Sequence, residues 1–157
     1  MQLLSGEVQI LAQRHSEALR LLKELDRTRD DLKGGWHRGP HGEQVPHWSF
    51  VDADIQVIAD LPSMLRAFRF EPFVLAASGD IYGVELIGCT RKRGDELVVW
   101  QVLAPFVEPG GRMDWYGENG AVVRWRFDGQ RLTVVPGSLA FADESRSLFA
   151  RLLGRKP

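Results

Sequence analysis

Three of the four histidines fall within one short segment, where their imidazole rings could together bind a metal ion. His37, His41 and His47 are spaced H-x3-H-x5-H. A zinc site takes three or four nitrogen, sulfur or oxygen ligands, and Glu43 could supply an oxygen. The first pair would chelate well on a helix, but Pro40 and the neighbouring glycines disfavour a helix here. We therefore predict no metal and no cofactor, and keep these three histidines as the candidates if a metal binds.

Two aspartates close to this segment could serve acid–base chemistry. Asp52 and Asp54 would share one face of a strand, but solvent-facing carboxylates show the same spacing. General acid–base catalysis needs two groups that converge on one pocket with separated pKa values, which spacing alone does not show. No G-x-S-x-G nucleophile motif and no phosphate-binding glycine loop is present. We favour a non-catalytic protein. If the protein is instead an enzyme or a small-molecule binder, His37, His41, Asp52 and Asp54 are the first residues to test.

Large aromatic residues and arginines stand out in two glycine-rich segments, 34–48 and 105–120, which we predict to be long loops. Trp, Tyr and Arg are enriched among the residues that dominate protein–protein binding energy. The alternative is that these aromatic side chains close over the core. We predict that five residues bind a partner: Trp36, Arg38, Arg112, Trp115 and Tyr116.

Basic residues also raise the question of nucleic-acid binding. Arg91, Lys92 and Arg93 form a basic turn, and Arg124 and Arg126 lie on a predicted strand close to possible stacking aromatics. However, 20 basic residues are balanced by 21 acidic ones, for a formal net charge of -1. This balance argues against a groove that follows a phosphate backbone, so nucleic acid is not the expected partner.

The N-terminal part of the chain predicts one long helix, residues 5–33, with Ser5 as its cap and Gly34-Gly35 as its end. Its apolar positions form a stripe with alternating steps of four and three if His15 and Arg29 fill two gaps: Leu4, Val8, Leu11, Ala18, Leu22, Leu25 and Leu32. The stripe could pack on the sheet of its own domain. It could also form the seam of a homodimer, and the sequence leaves both interpretations open.

The remaining chain predicts a mainly antiparallel sheet of five to six strands. One hairpin, 73–77 with 81–90, turns at 78–80, and another, 121–127 with 130–135, turns at Asp128-Gly129, a pair typical of type I′ turns. Residues 96–103 are apolar on both faces, which predicts a central strand.

Three further segments complete the predicted elements. Residues 49–60 fit either a strand or a helix that starts at Asp52, and Pro62–Phe68 fits a short helix. A short C-terminal helix is predicted from Asp143 to Leu153. The sequence therefore predicts an α+β protein with one domain over residues 1–157.

Bulk composition narrows the class of protein. Hydrophobic residues make up 44% of the chain, and the single cysteine, Cys89, cannot form an internal disulfide. No leader pattern and no apolar run long enough to span a bilayer is found, so we expect a soluble cytoplasmic protein.

The best hypothesis for function is a non-catalytic protein-binding module that acts through its aromatic and arginine-bearing loops. A toxin-neutralising (immunity-type) or secretion-adaptor protein would fit its size. The alternative is a small enzyme, or a small-molecule or metal binder, with a cleft near residues 34–48.

Overall fold

A computed structural model describes residues 2–48, 51, 53–87, 96–117 and 119–138 of the chain. The strands and helices are, in order, β1 Gln2–Glu7, α1 His15–Thr28, β2 Gly35–Arg38, β3 Gln44–His47, α2 Leu61–Ala67, β4 Phe70–Val74, β5 Ile81–Leu86, α3 Glu96–Leu103, β6 Arg112–Tyr116, β7 Val122–Phe127 and β8 Leu132–Gly137. All strand pairs are antiparallel. The predicted α+β class is confirmed.

The main sheet has four strands in the order β1-β6-β7-β8, and two separate hairpins, β2-β3 and β4-β5, accompany it. A pair of backbone hydrogen bonds links the β4-β5 hairpin to the chain that follows β1. The N–H of Ile10 donates to the carbonyl oxygen of Ile81 at 2.8 Å, and the N–H of Ile81 donates back at 2.9 Å. Below this link β1 and β5 touch at Gly6, where a Cβ would overlap the carbonyl oxygen of Val84.

The core lies on one side of the main sheet, under the helices. Its sheet side consists of residues that alternate along β6 and β7: Met113, Trp115, Trp125 and Phe127. Phe70 packs edge-on against Trp100 of α3, with ring centroids 5.4 Å apart. Because neighbouring strand residues point to opposite faces, the other side of the sheet carries Arg112 and Asp114, which are half-buried, and Tyr116, which is exposed.

The predicted helix 5–33 is shorter, because its first residues form β1. The structure places 14 residues, His15–Thr28, in α1. Glu7 of β1 pairs with Arg112, which lies 105 positions further along the chain. A local sequence pattern does not reveal so distant a partner. Here the pairing of β1 with β6 overrides the helical spacing of the leucines.

The apolar stripe of the shorter helix α1, on which a dimer seam would depend, faces the core of its own chain. Within α1 the stripe residues Ala18, Leu22 and Leu25 are buried in the core of the same chain, and Leu19 and Leu21 pack against that core. No apolar stripe of α1 is left for a second helix.

The predicted central strand 96–103 is wrong, because these residues form α3. The buried positions Val99, Trp100 and Leu103 are separated by steps of one and three, so they share one face of a helix. A short segment that is apolar all round fits a strand and a buried helix equally well, and the valines favoured the strand.

The two predicted long loops contain regular structure. Residues 34–48 hold the β2-β3 hairpin, and residues 105–120 hold β6, a central strand of the main sheet. In β6 the alternation of Met113 and Trp115 with polar residues was a strand signal. The glycines on either side of it, Gly111 and Gly117, suggested a loop instead.

Both other predicted hairpins and the short helix are present, although β4 ends at Val74 and not at residue 77, and the β7-β8 turn differs in type. The Asp128 carboxylate accepts the N–H groups of Gln130 at 2.8 Å and Arg131 at 2.7 Å. Within this connection only Gly129 has a positive φ, of 89°, whereas a type I′ turn needs two such residues. Because Phe127 pairs with Leu132, the connection is a four-residue loop.

Residues 53–60 form neither of the two elements predicted for 49–60, since only Ile55–Val57 make one 3-10 turn. Asp60 then caps α2, accepting the N–H of Ser63 at 2.7 Å. Asp52, Cys89, the basic turn 91–93 and the predicted helix 143–153 lie outside the described residues.

Candidate binding surfaces

The β2-β3 hairpin carries two of the predicted partner-binding residues on one face. Trp36 pairs with Pro46 and Arg38 with Gln44, so these four side chains share a face, which we call the hairpin face. Trp36 is 62% exposed, the highest value for any described aromatic residue. Arg38 is exposed and forms no ion pair within the described part of the chain. Trp36 and Arg38 are therefore both accessible to a partner.

The opposite face of this hairpin brings together two of the three candidate metal ligands. The rings of His37 and His47 stack with centroids 5.4 Å apart. His47 Nδ1 lies 2.7 Å from the carbonyl oxygen of Trp48, which only accepts, so Nδ1 carries the hydrogen. His41 is in the hairpin loop, where its backbone N–H donates to Glu43. Across the described ranges, no three side chains of His, Cys, Asp or Glu are grouped to hold a metal ion.

A cleft of about 490 Å³ lies beside His37 and His47, where the sequence placed the alternative ligand site. At its base Asp26 accepts hydrogen bonds from Trp48 Nε1 at 2.9 Å and Gln56 Nε2 at 2.6 Å. Asp26 also pairs with Lys33 Nζ at 3.2 Å. The polar groups at the base of the cleft are thus bonded to one another.

Lys33 shows the effect of this network on charge. Burial alone would lower the pKa of Lys33, but its bonds to Asp30, at 2.7 Å, and to Asp26 outweigh burial and raise that pKa. Lys33 therefore stays protonated.

Asp54, the second candidate carboxylate, accepts the N–H of Gln56 at 2.9 Å and begins the 3-10 turn.

The side of the main sheet opposite the core, which we call the outer sheet face, carries Arg112 and Tyr116. Arg112 Nη2 lies 2.8 Å from Glu7. On the neighbouring row, both Nε and Nη2 of Arg124 bond the Asp114 carboxylate, at 2.6 and 2.7 Å. Hydrogen bonds from Arg124 hold the pKa of Asp114 below its ordinary value. These pairs connect β1, β6 and β7 across the face.

Trp115 points to the other side of β6 and is only 2% exposed. Its ring packs against Trp125, with centroids 4.6 Å apart. Trp115 is therefore a core residue, and its side chain is not accessible as the sequence-based expectation required. Trp125 is buried too, whereas Tyr116 is 37% exposed and could still stack on a base.

The sequence did not indicate one further exposed aromatic pair. Phe73 of β4 and Tyr82 of β5 are 40% and 52% exposed, and their ring centroids are 5.9 Å apart. A groove of about 430 Å³ separates them from Leu3 and Leu4 of β1. A register shift at Phe73 and Val74 breaks the alternation of buried and exposed positions, so the strand pattern did not reveal which aromatics face outward.

Comparisons of this chain with protein-family models, curated protein sequences and solved structures found no match. None of the helices within the described ranges has both the length and the apolar character needed to cross a membrane.

Proposed function

We propose that the protein is a non-catalytic protein-binding module and that the hairpin face contacts its partner. The observation that carries this proposal is the exposure of Trp36, which leaves 62% of the residue in water. Burying a tryptophan side chain at an interface gains much apolar area at little cost in conformational entropy. Arg38, on the same face and without an ion pair among the described residues, would add charge-assisted hydrogen bonds.

Within that class we propose the more specific roles of a toxin-neutralising (immunity-type) protein or a secretion adaptor, located in the cytoplasm. A chain of 157 residues has a suitable size for either role. The single cysteine supports a compartment in which disulfides are not needed.

The test compares capture of proteins from a lysate of the source cells by tagged wild type and by two alanine variants. Trp36→Ala should lose a partner that wild type retains, with the affinity of the purified pair weakened by about 2 kcal/mol or more. Tyr82→Ala is the matched control, because it removes an exposed aromatic from another hairpin. The proposal is contradicted if Trp36→Ala retains every captured protein, or if Tyr82→Ala loses the same partner equally.

A second candidate is a small-molecule binder that uses the cleft beside His37 and His47, and its support is the 490 Å³ volume at that place. The same set of variants separates the two proposals. If the hairpin face binds a protein, His37→Ala should keep full partner affinity, because this side chain is on the opposite face. A small-molecule site would instead respond to His37→Ala and not to Trp36→Ala.

A further inference from the structure

Two arginines stand directly opposite each other on the outer sheet face. The strand registers place Glu7, Arg112, Arg126 and Thr133 in one row across β1, β6, β7 and β8. Like charges at directly opposed positions of an antiparallel pair are destabilising. The row therefore holds a local excess of positive charge that a bound acidic group would relieve.

The carboxylates of this face do not neutralise that excess. Glu7 is engaged by Arg112, and Asp114 is engaged through two bonds by Arg124. Arg126 is exposed and has no hydrogen bond or ion pair within the described residues. In addition, Nε of Arg112 is buried without a hydrogen-bond partner. The face thus has one uncommitted guanidinium, that of Arg126, beside the partly exposed Arg112, whose Nη2 is engaged by Glu7 and whose Nε is too buried to meet a ligand.

Apolar surface lies in the next two rows, with Val135 in the row of Asp114 and Arg124 and Tyr116 in the row after that. Tyr116 pairs with Val122 across β6 and β7, and Tyr116 is 37% exposed. Val135 of β8 is opposite Arg124 and is half-buried. A ligand that presents a carboxylate and, further along the strand direction, an apolar or aromatic group would match these three rows.

We propose that the outer sheet face binds an acidic segment of a partner protein, with a carboxylate of that segment beside Arg126 and Arg112. This inference rests on the proposed role in protein binding, but it does not depend on the hairpin face. A nucleic acid fits the face less well, because Glu7 and Asp114 would repel successive phosphates and the nearby tryptophans are buried.

The probe is fluorescein-labelled hexaglutamate, whose binding to the purified full chain is followed by fluorescence anisotropy. Arg126→Gln should weaken binding by about tenfold, as expected when one charge-assisted contact is lost. Arg20→Gln is the matched control, since it removes an exposed arginine from α1 and changes the net charge equally. Added salt should weaken binding to wild type, because the contact is electrostatic and exposed.

Other outcomes would overturn the inference. Equal binding by Arg126→Gln and wild type, or equal weakening by Arg20→Gln, would show that the arginine pair is not the site. Tighter binding of labelled oligothymidylate than of hexaglutamate would show a nucleic-acid surface. Trp36→Ala should leave hexaglutamate binding unchanged, so a failure of the hairpin proposal remains distinguishable from a failure of this one.

Discussion

At the scale of single residues, the Arg124–Asp114 pair links electrostatics to stability. Because Arg124 lowers the pKa of Asp114 in the folded protein, the ionised carboxylate favours folding at pH values above the pKa of an unfolded aspartate, about 4. That contribution is lost as pH falls from about 4 through the lower folded value. In Arg124→Gln the contribution is absent at every pH.

Urea unfolding at several pH values measures the contribution of the Arg124–Asp114 pair to stability. At pH 7 wild type should unfold at a higher urea concentration than Arg124→Gln, and the difference should shrink as pH falls below about 4. Arg20→Gln, which breaks the exposed pair with Glu24, should change the midpoint little throughout. A difference that stays constant down to pH 2 would mean that Arg124 stabilises the fold through packing and not through the charge of Asp114.

Residue type alone did not show which of the aromatic side chains singled out in the sequence are exposed. Trp36 and Arg38 were singled out by type and are accessible on one face. Trp115 has the same apparent sequence context, yet it is buried because β6 is a central strand and this residue points inward. Whether an aromatic side chain is buried or exposed depends on how its strand is paired, and the local spacing of residues does not predict that pairing.

At the scale of elements, the contact between β1 and β5 depends on Gly6. In Gly6→Ala the new Cβ would overlap the backbone oxygen of Val84, which cannot turn away as a flexible side chain can. The two strands must then separate, and we expect the free energy of unfolding to fall by about 1–3 kcal/mol, as in other overpacked sites. Chemical denaturation of the purified variant measures this value.

Gly137→Ala is the matched control at the edge strand β8. Its Cβ would have the side chain of Val122 as its nearest neighbour, at 3.3 Å, and the backbone oxygen of Val122 only at 3.7 Å, so the free energy of unfolding should change much less. Equal loss of stability in both variants would show that the substitution acts through general backbone effects and not through the β1–β5 contact.

The elements that sequence predicted correctly are those with local signals. Asp60 as a cap and Pro62 in the first turn define α2, and turn residues define the β4-β5 and β7-β8 hairpins. Among the elements predicted incorrectly, β1 and α3 are determined by tertiary neighbours. Glu96–Leu103 has apolar residues on every side, so its sequence pattern does not distinguish a strand from a helix. In the structure it is a helix that buries Val99, Trp100 and Leu103 on one face.

At the scale of the whole molecule, the fold class followed from composition and hairpins, whereas the topology did not. The first strand pairs with β6, so the N-terminal residues complete a sheet whose other strands come from residues 112–137. Ile10 then joins this sheet to the β4-β5 hairpin. Contacts of such long range leave no periodic pattern in the sequence, and they turned an expected long helix into a strand and a shorter helix.

This topology predicts the oligomeric state. The apolar residues of α1 that would form a dimer seam are buried in their own core, so the helix gains little apolar contact by pairing. Sedimentation equilibrium at micromolar concentrations should therefore give a single species near 17.7 kDa. A mass that rises with concentration would contradict this expectation. In that case, the Tyr82→Ser variant would test whether the exposed Phe73–Tyr82 pair, and not α1, forms the contact between two chains.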